Sequence, residues 1–226
     1  MYEKELIEYL EKFVSERRVK LFDKILSDRT DYITVVLEDI YQPHNASAVL
    51  RTCECFGIQE LNIIENRNRF QPNPEVSLGS DKWLTIRKFN ESENNTSEAF
   101  GYLRARGYRM VATSPHKGEA TDLEDFDVRR GKIALVFGTE MHGLSKKAEA
   151  EADEYLRIPM FGFTESFNIS VSAAIIIYKL VSSLHNSGLS WQLGDKDKIS
   201  VKLNWLRNTI KKSELLEKKF LDMKSS

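Results

Sequence analysis

The stretch HNASAVLRTCECFG (44–57) begins with polar residues and contains one arginine, Arg51. Asn45 is a residue type favoured at a helix N-cap, so we expect a helix over about 45–56. At 100° per residue, one face of this helix collects its apolar side chains, namely Ala46, Val49, Leu50, Cys53 and Phe56. Arg51 falls almost opposite that face. It is either a solubilising charge or a cation aimed at a substrate.

Two further stretches carry side chains that can orient a polar substrate. GTEMHGLS (138–145) places Glu140 on a turn between two glycines, and FTESFNIS (163–170) brings Ser166 close to Asn168. Both also allow an ordinary structural role. The first can be a plain strand-to-helix connection, and either Ser166 or Asn168 can cap the apolar helix that follows. Capping alone does not explain two polar side chains.

The elements that position these stretches alternate between strands and helices. Apolar runs predict strands at 33–40, 60–65, 108–114, 132–138 and 155–160. Helical patterns lie at 2–28, 45–56, 96–106, 145–151 and 168–186. Strands that are apolar on both faces and alternate with helices indicate a parallel sheet covered on both sides, an α/β fold. Ligands bind beyond the carboxyl ends of such strands, where all three polar stretches begin. The segment 66–83 is polar and turn-rich, so we expect a long functional or mobile loop there.

Composition excludes several classes of protein. The chain has 226 residues, 41% of them hydrophobic and 30% charged, as in a soluble globular protein. The acidic N-terminus is not a secretory signal, and the apolar run 169–181 is too short to span a bilayer, so we expect a cytoplasmic protein. Cys53 and Cys55 complete no metal site. The sequence contains neither a G-x-G-x-x-G motif nor a P-loop.

Charge alone leaves nucleic-acid binding open. The net charge is −1, yet the segment 202–224 carries seven basic residues against three acidic ones. A second basic cluster follows the acidic first turns of the chain: Arg17, Arg18, Lys20 and Lys24. Solvated helix faces and a phosphate-contacting surface explain these clusters equally well.

Three co-ordered motifs resemble those of the SPOUT RNA 2′-O-ribose methyltransferases: NASAVLRTCECFG (45–57), ALVFGTEMHGLS (134–145) and IPMFGFTESFNISVSAA (158–174). Within that superfamily the chain is most similar to the TrmH family of tRNA (guanosine-18) 2′-O-methyltransferases. PHN before the first motif, GSDKW (79–83) and the helical segments at both ends support this assignment. The resemblance covers roughly 33–185.

The resemblance implies a fold and a cofactor. The fold would be a homodimeric α/β domain with a deep trefoil knot at about 133–185, an exception to the rule that chains do not knot. The cofactor would be S-adenosylmethionine (SAM), bound by residues that match the family's donor contacts: Thr113, Gly138, Ile158 and Phe167. The partners would be tRNA and a second copy of the chain, without a metal ion or a membrane.

The resemblance also implies roles for the polar stretches. Arg51 matches the arginine thought to activate the ribose 2′-hydroxyl, and Asn45, Glu140, Ser166 and Asn168 match the residues around it. Because guanidinium groups stay protonated in proteins, Arg51 is either an unusual base or an electrostatic clamp. The closest matches to tRNA-contacting positions are Arg17, Arg18 and Lys82, and charge adds Lys20, Arg29 and the C-terminal basic segment.

Three segments are therefore expected: a basic helical extension (1–30), a methyltransferase domain (31–187) and a basic helical extension (188–226). The predicted reaction is SAM-dependent methylation of the ribose of a D-loop guanosine in tRNA. A related enzyme for ribosomal RNA or the anticodon loop is the alternative within the superfamily. A non-catalytic RNA-binding module and a metabolic enzyme with a small substrate are alternatives from other classes.

Overall fold

The apolar runs form a parallel sheet in the computed structural model, which describes residues 2–114 and 119–224. The strands are β1 (Ile33–Glu38), β2 (Glu60–Ile64), β3 (Thr85–Phe89), β4 (Tyr108–Thr113), β5 (Thr121–Asp122), β6 (Lys132–Phe137) and β7 (Glu154–Arg157). They lie in the order β3-β2-β1-β6-β4-β7-β5, with parallel pairing throughout. All carboxyl ends therefore lie along one edge of the sheet, the carboxyl edge, and all amino ends lie along the opposite amino edge.

Helices cover both faces of this sheet. The α-helices of the described residues are α1 (Tyr2–Glu11), α2 (Glu16–Ser27), α3 (Pro43–Cys55), α4 (Pro74–Ser77), α5 (Asn95–Ala105), α6 (Lys146–Glu151), α7 (Ile169–His185), α8 (Asp195–Thr209) and α9 (Ser213–Lys224). Helices α3 and α7 share one hydrophobic core with Val35 and Leu37 of β1. Helices α5 and α6 share another with Val36 of the same strand. Successive β1 residues point to opposite faces, so both faces of the strand are buried.

The predicted α/β fold is confirmed, and five of the strands lie where the apolar runs placed them. Strand β3 was missed because Arg87 and Lys88 interrupt its apolar pattern and only Phe89 is buried. Strand β5 is two residues long and leaves no periodic signal. The segment 66–83 is not a plain loop, since it contains α4 and a 3₁₀-helix, Ser80–Lys82.

Two helix boundaries differ from expectation. Residues 2–28 form two helices rather than one, because Ser15 adopts an extended conformation with ψ of 144° and begins α2. Helix α3 starts at Pro43, with Gln42 as its N-cap, so Asn45 is not the N-cap. Proline has no backbone N–H and a fixed φ that suits the first helical position, which moves the helix start two residues toward the N-terminus. The Asn45 side chain therefore does not cap α3.

Contacts divide the chain into two compact units, Met1–Arg29 with Gln192–Ser226, and Thr30–Trp191. The first, the terminal unit, contains α1, α2, α8 and α9. Its core includes Leu6, Leu10, Phe22, Trp205 and Leu206. The second, the sheet unit, holds the sheet and the remaining helices. Over the described residues, no helix is long and apolar enough to cross a membrane. Residues 2–114 and 119–224 also contain no group of three or more side chains suited to holding a metal ion.

Candidate active site

A cavity of about 450 Å³, the first cavity, opens at the carboxyl ends of β4, β6 and β7. Its wall includes the four residues predicted to hold the cofactor, Thr113, Gly138, Ile158 and Phe167. Three of the predicted catalytic residues also line it, Glu140, Ser166 and Asn168. The strand order explains this convergence, because β4 lies between β6 and β7.

Gly138 permits the tight turn that carries Glu140. A Cβ atom at Gly138 would lie 2.1 Å from the carbonyl carbon of Gly143 and 2.2 Å from its oxygen. The turn is closed by two backbone hydrogen bonds, from Thr139 N to Gly143 O at 2.8 Å and from Gly143 N to Thr139 O at 3.0 Å. Gly143 has φ of 66°, a conformation that side chains disfavour. The two glycines therefore fold the turn back on itself and leave Glu140 projecting.

Glu140, Asn45 and Asn168 form a chain of hydrogen bonds. The Asn45 Nδ2 donates to Glu140 Oε1 at 2.9 Å, and the Asn168 Nδ2 donates to Asn45 Oδ1 at 3.2 Å. A carboxylate only accepts hydrogen bonds, so Glu140 determines which way the Asn45 amide points. Asn45 is 5% exposed, which restricts its side chain further. Three residues from three distant segments are thus held in one orientation.

Asn168 also caps the N-terminus of α7. Its Oδ1 accepts from Ser170 N at 2.8 Å, so Asn168 is the N-cap of that helix. The sequence-based expectation that Ser166 or Asn168 caps α7 is met by Asn168. Ser166 lines the first cavity and is exposed, with no hydrogen bond to any described residue. Its hydroxyl is therefore available to a ligand.

Arg51 stands apart from this cluster. It lies about 9 Å along the axis of α3 from Asn45 and about 240° around it. Its side chain is exposed and has no hydrogen bond or ion pair with the described residues. It lines neither the first cavity nor the larger cavity on the other side of the turn that carries Glu140. The prediction that Arg51 faces away from the apolar side of α3 is confirmed, since Val49, Leu50 and Cys53 are buried. Within one chain, the structure does not bring Arg51 to the first cavity.

The predicted RNA-contacting residues lie in both units. Arg17, Arg18 and Lys20 are exposed on α2, and Lys20 pairs with Glu16 at 2.6 Å. Lys82 is exposed on the 3₁₀-helix of the sheet unit. Arg29 does not fit the expectation drawn from its charge. It is 1% exposed and lies over the Trp205 ring at 5.3 Å, so it is a core residue of the terminal unit.

The C-terminal basic segment is less available than its charge suggests. Lys202 pairs with Glu11 at 2.6 Å and with Asp23 at 2.5 Å. Arg207 donates two hydrogen bonds to Glu217 at 2.7 and 2.8 Å, and these bonds hold the Glu217 pKa below its ordinary value. Lys224 pairs with Glu5. The basic residues of this segment that remain exposed without an ion pair are Lys211, Lys212, Lys218 and Lys219.

Two buried carboxylates that support the site were not anticipated from the sequence. Glu38, 1% exposed at the end of β1, accepts from Thr96 Oγ1 at 2.7 Å and from the N–H and hydroxyl of Ser145, both at 2.8 Å. Asp39 follows with φ of 53°, and its Oδ1 accepts the N–H groups of residues 66–68 at 2.7, 2.8 and 3.3 Å. The available signal was two consecutive acidic residues at the point where a buried strand ends, because an unpaired buried charge would be costly there.

Comparisons with known proteins agree with the three motifs. The model of the SpoU rRNA Methylase family matches residues 32–178. A tRNA (guanosine(18)-2′-O)-methyltransferase of Borreliella burgdorferi is 38% identical over 208 residues, covering 92% of this chain and 93% of the relative. The enzyme of the same name from Thermus thermophilus is 34% identical over 175 residues, covering 77% of this chain and 87% of the relative.

A solved structure shares the fold. The crystal structure of the A. aeolicus TrmH/SpoU tRNA modifying enzyme superposes with a TM-score of 0.75 at 27% identity, covering 87% of this chain and 98% of that one. The resemblance seen in the sequence is confirmed by these matches, which extend over most of the chain. The chain belongs to the SpoU methylase family.

Proposed function

We propose that this chain is a SAM-dependent methyltransferase that methylates the ribose 2′-hydroxyl of guanosine 18 in the D-loop of tRNA. The observation that carries the proposal is the hydrogen-bonded group of Asn45, Glu140 and Asn168 beside the first cavity. This group occurs in a chain that is similar, over nearly its whole length, to a tRNA (guanosine(18)-2′-O)-methyltransferase. The similarity extends to the terminal segments as well as to the sheet unit.

The volume of the first cavity suits a small-molecule methyl donor such as SAM. Its volume of about 450 Å³ lies within the range of small-molecule pockets, about 300–1,000 Å³. Gly138 adds no side chain to the wall, which lets a ligand approach the backbone. Phe167, 42% exposed, offers an aromatic surface, and Thr113 and Ile158 complete the proposed donor contacts. SAM supplies a methyl group bonded to a positively charged sulfur.

The residues around this cavity orient the acceptor. The Ser166 hydroxyl can hydrogen-bond to the ribose, and Asn168, which also lines the cavity, can help to hold the sugar in one pose. Asn45 does not line the cavity and acts by fixing the Asn168 amide. As the 2′-oxygen attacks, its proton must leave, which requires a nearby acceptor or a cation that stabilises the developing charge. Arg51 is the residue we assign to this step.

Arg51 would come from a second copy of the chain. In one chain it is exposed and does not line the first cavity. Phe161 and Phe163, in the loop before α7, are 98% and 108% exposed, and Tyr178 on α7 is 62% exposed. Apolar side chains this exposed are typical of an interface with another protein. A homodimer would cover them and present Arg51 to the partner.

We also propose the three-segment organisation, 1–30, 31–187 and 188–226, with the helical extensions contacting tRNA through Arg17, Arg18 and Lys20. Lys82 would contact tRNA from the methyltransferase domain. The support is that these residues are exposed and that residues 1–29 and 192–226 belong to one unit. The proposed substrate implies a cytoplasmic protein. A steep fall of tRNA affinity with added salt would be expected, and a flat response would contradict phosphate binding by these residues.

The knot remains a proposal for residues 133–185. Its support is the family resemblance together with the strand order, because the connection from β6 to β7 must pass β4. An experimental structure in which the backbone over 133–185 can be pulled straight without threading a loop would contradict it.

Product analysis tests the proposed reaction. Purified chain, SAM carrying a labelled methyl group, and unmodified tRNA should yield 2′-O-methylguanosine, which nuclease mapping with mass spectrometry should locate in the D-loop. Label in the anticodon loop, or only in ribosomal RNA, would support the alternative substrates. Binding of SAM or of tRNA by calorimetry, with no methyl transfer to any RNA, would indicate a SAM-binding or RNA-binding module without catalysis.

Replacing Arg51 by Lys separates its two possible roles. A lysine can lose its proton at elevated pH, but it cannot reproduce the two parallel hydrogen bonds of a guanidinium. Substantial recovery of methyl transfer by Arg51→Lys as the pH is raised would indicate a base. Absence of recovery at every pH would indicate an electrostatic clamp with bidentate geometry.

A further inference from the structure

A larger cavity of about 810 Å³, the second cavity, lies on the other side of the turn that carries Glu140. Residues 139–144 line both cavities and form the wall between them. The rest of the second cavity comes from the end of β1 and the loop after it, the loop after β2, and the starts of α5 and α6. A ligand in the second cavity would therefore be separated from one in the first by a single turn.

The buried carboxylates that line the second cavity are already hydrogen-bonded within the protein. Glu38 and Asp39 line it, but their carboxylates accept hydrogen bonds from neighbouring protein groups, as described above. The loop after β2 is held again by Glu65, whose Oε1 accepts from Phe70 N at 2.8 Å. Burial opposes ionisation of Glu65, yet hydrogen bonds from Asn90, Phe70 and Lys88 lower its pKa. The loop that bears Arg67 thus has a fixed backbone.

Three exposed charged side chains of the second cavity have no partner among the described residues, whereas Lys147 pairs with Glu151 at 2.9 Å. Arg67 and Lys146 make no side-chain hydrogen bond or ion pair with the described residues, and neither does Glu93. Tyr41 is 71% exposed, and its ring stacks on no other described ring. Two unpaired cations, an exposed aromatic ring and one carboxylate therefore face the same space.

We propose that the second cavity binds the RNA nucleotide adjacent to the methylated ribose. Its base would stack on Tyr41 and its phosphate would contact Arg67 and Lys146. Aromatic stacking and cationic contacts to the backbone are how proteins hold unpaired nucleotides. Glu93 would accept hydrogen bonds from base N–H groups, which a site for a bare anion would not need. The inference rests on the proposed function, because it takes the first cavity as the place of methyl transfer.

Five variants test the inference with the full chain, SAM and tRNA. Arg67→Ala, Lys146→Ala and Tyr41→Ala remove the proposed contacts, and Tyr41→Phe keeps the ring. Arg129→Ala is the matched control, since Arg129 is also exposed and unpaired but precedes β6 at the amino edge. All replaced side chains are exposed, so melting temperatures should be unchanged, and a variant that melts early would be replaced by Arg67→Lys or Lys146→Gln.

The proposal gives a distinct pattern of results. Arg67→Ala and Lys146→Ala should each raise KM for tRNA about fivefold and reduce the salt dependence of log K by about 0.7 per contact to a single strand. Tyr41→Ala should raise KM about tenfold, whereas Tyr41→Phe should match the wild-type chain. SAM affinity should be the same in all variants, and Arg129→Ala should change none of these values.

Failure of this inference can be told apart from failure of the proposed function. A wild-type chain that methylates no RNA overturns the proposed function, whatever the variants do. A wild-type chain that methylates tRNA, with cavity variants that behave like Arg129→Ala, overturns only the second-cavity assignment. Equal loss of SAM affinity and tRNA affinity in Tyr41→Ala would also overturn it, because that result would mean distortion of the shared wall.

Discussion

The charges of Glu60, Asp31, Glu38 and Asp39, which lie at the two edges of the same sheet, have different kinds of partner. At the amino edge, Arg106 donates two hydrogen bonds to Glu60 at 2.6 and 2.7 Å, and Lys132 pairs with Asp31 at 2.5 Å. At the carboxyl edge, the buried carboxylates of Glu38 and Asp39 accept hydrogen bonds from neutral donors. The side chains of Arg67 and Lys146 there have no partner among the described residues. The difference indicates that the pairs at the amino edge are fixed parts of the fold, whereas Arg67 and Lys146 at the carboxyl edge remain available for ligands.

The pKa shifts of Arg106 and Tyr108, which both lie at the amino edge, support this contrast. Burial of Arg106 disfavours its charge, yet the hydrogen bonds and charge of Glu60 raise its pKa above the ordinary value. Burial, together with the nearby Asp31 carboxylate, raises the pKa of Tyr108 as well. Arg106 therefore stays charged and Tyr108 stays neutral over the whole physiological range. These groups are fixed parts of the fold rather than groups that exchange protons with a substrate.

Arg51→Ala should give the largest effect, and it should fall on activity alone. Removing one guanidinium that stabilises the transition state should lower the rate of methyl transfer about 10³-fold. Melting temperature and SAM affinity should not change, because Arg51 is exposed and has no partner among residues 2–114 and 119–224. Single-turnover transfer of labelled methyl to tRNA measures the loss. A rate within a few-fold of wild type would remove Arg51 from the reaction.

Arg106→Ala, at the amino edge, should lower stability and leave activity unchanged, which is the opposite of the result expected for Arg51→Ala. It leaves the buried Glu60 carboxylate unpaired, which should cost about 3 kcal/mol of unfolding free energy. Urea denaturation measures this loss, and methyl transfer by the folded protein should stay near wild type. Arg130→Ala is the control, since the Arg130 side chain is 61% exposed in its pair with Glu154 and should cost less than about 1 kcal/mol. Equal costs for the two variants would contradict the assignment.

Gly138→Ala should damage both stability and the first cavity. The added methyl group overlaps the Gly143 carbonyl, so the turn must shift, at a cost of about 2 kcal/mol and with weaker SAM binding. Gly101→Ala on α5 is the control, because its Cβ would meet nothing within 4 Å and alanine stabilises a helix by about 1 kcal/mol relative to glycine. Denaturation and calorimetry measure the two effects. Unchanged SAM affinity in Gly138→Ala would indicate that the turn does not shape the donor site.

Tyr108→Phe should have the smallest effect, and it should depend on pH. It removes the hydrogen bond from the Tyr108 hydroxyl to Asp31 O at 2.5 Å, worth about 1 kcal/mol at neutral pH. In the unfolded chain this phenol ionises near pH 10, whereas its raised pKa keeps it neutral in the folded chain. Stability contributed by Tyr108 is therefore lost as pH rises above about 10.

The wild-type chain should accordingly lose stability faster than Tyr108→Phe in that range. Urea denaturation at pH 8 and at pH 10.5 makes the comparison, and the difference between the two proteins should narrow at the higher pH. Parallel curves for the two proteins would show that Tyr108 ionises equally in the folded and unfolded chains.

Long apolar strands and the three polar stretches were predictable because each depends on local pattern. The strand over 132–138 needs only its own apolar run, and Gly138 and Glu140 follow directly from it. The Asn45–Glu140–Asn168 chain depends on residues that are about 30 to 120 positions apart, so only the resemblance to a family grouped them. Arg29 and Lys202 were misread as RNA contacts because net charge does not reveal a buried cation or an internal ion pair. Asn45 was misplaced because Pro43 moves the helix start.

The central claim is that the site at the carboxyl edge is incomplete in one chain and is completed by Arg51 of another. Co-expression of Arg51→Ala and Glu140→Ala chains with different tags, followed by isolation of the mixed dimer, tests this claim directly. Each variant alone should be inactive, whereas the mixed dimer should recover up to half of the wild-type methyl transfer to tRNA, because one of its two sites has both residues intact. A purified mixed dimer that is as inactive as its parents would show that Arg51 does not act across the dimer.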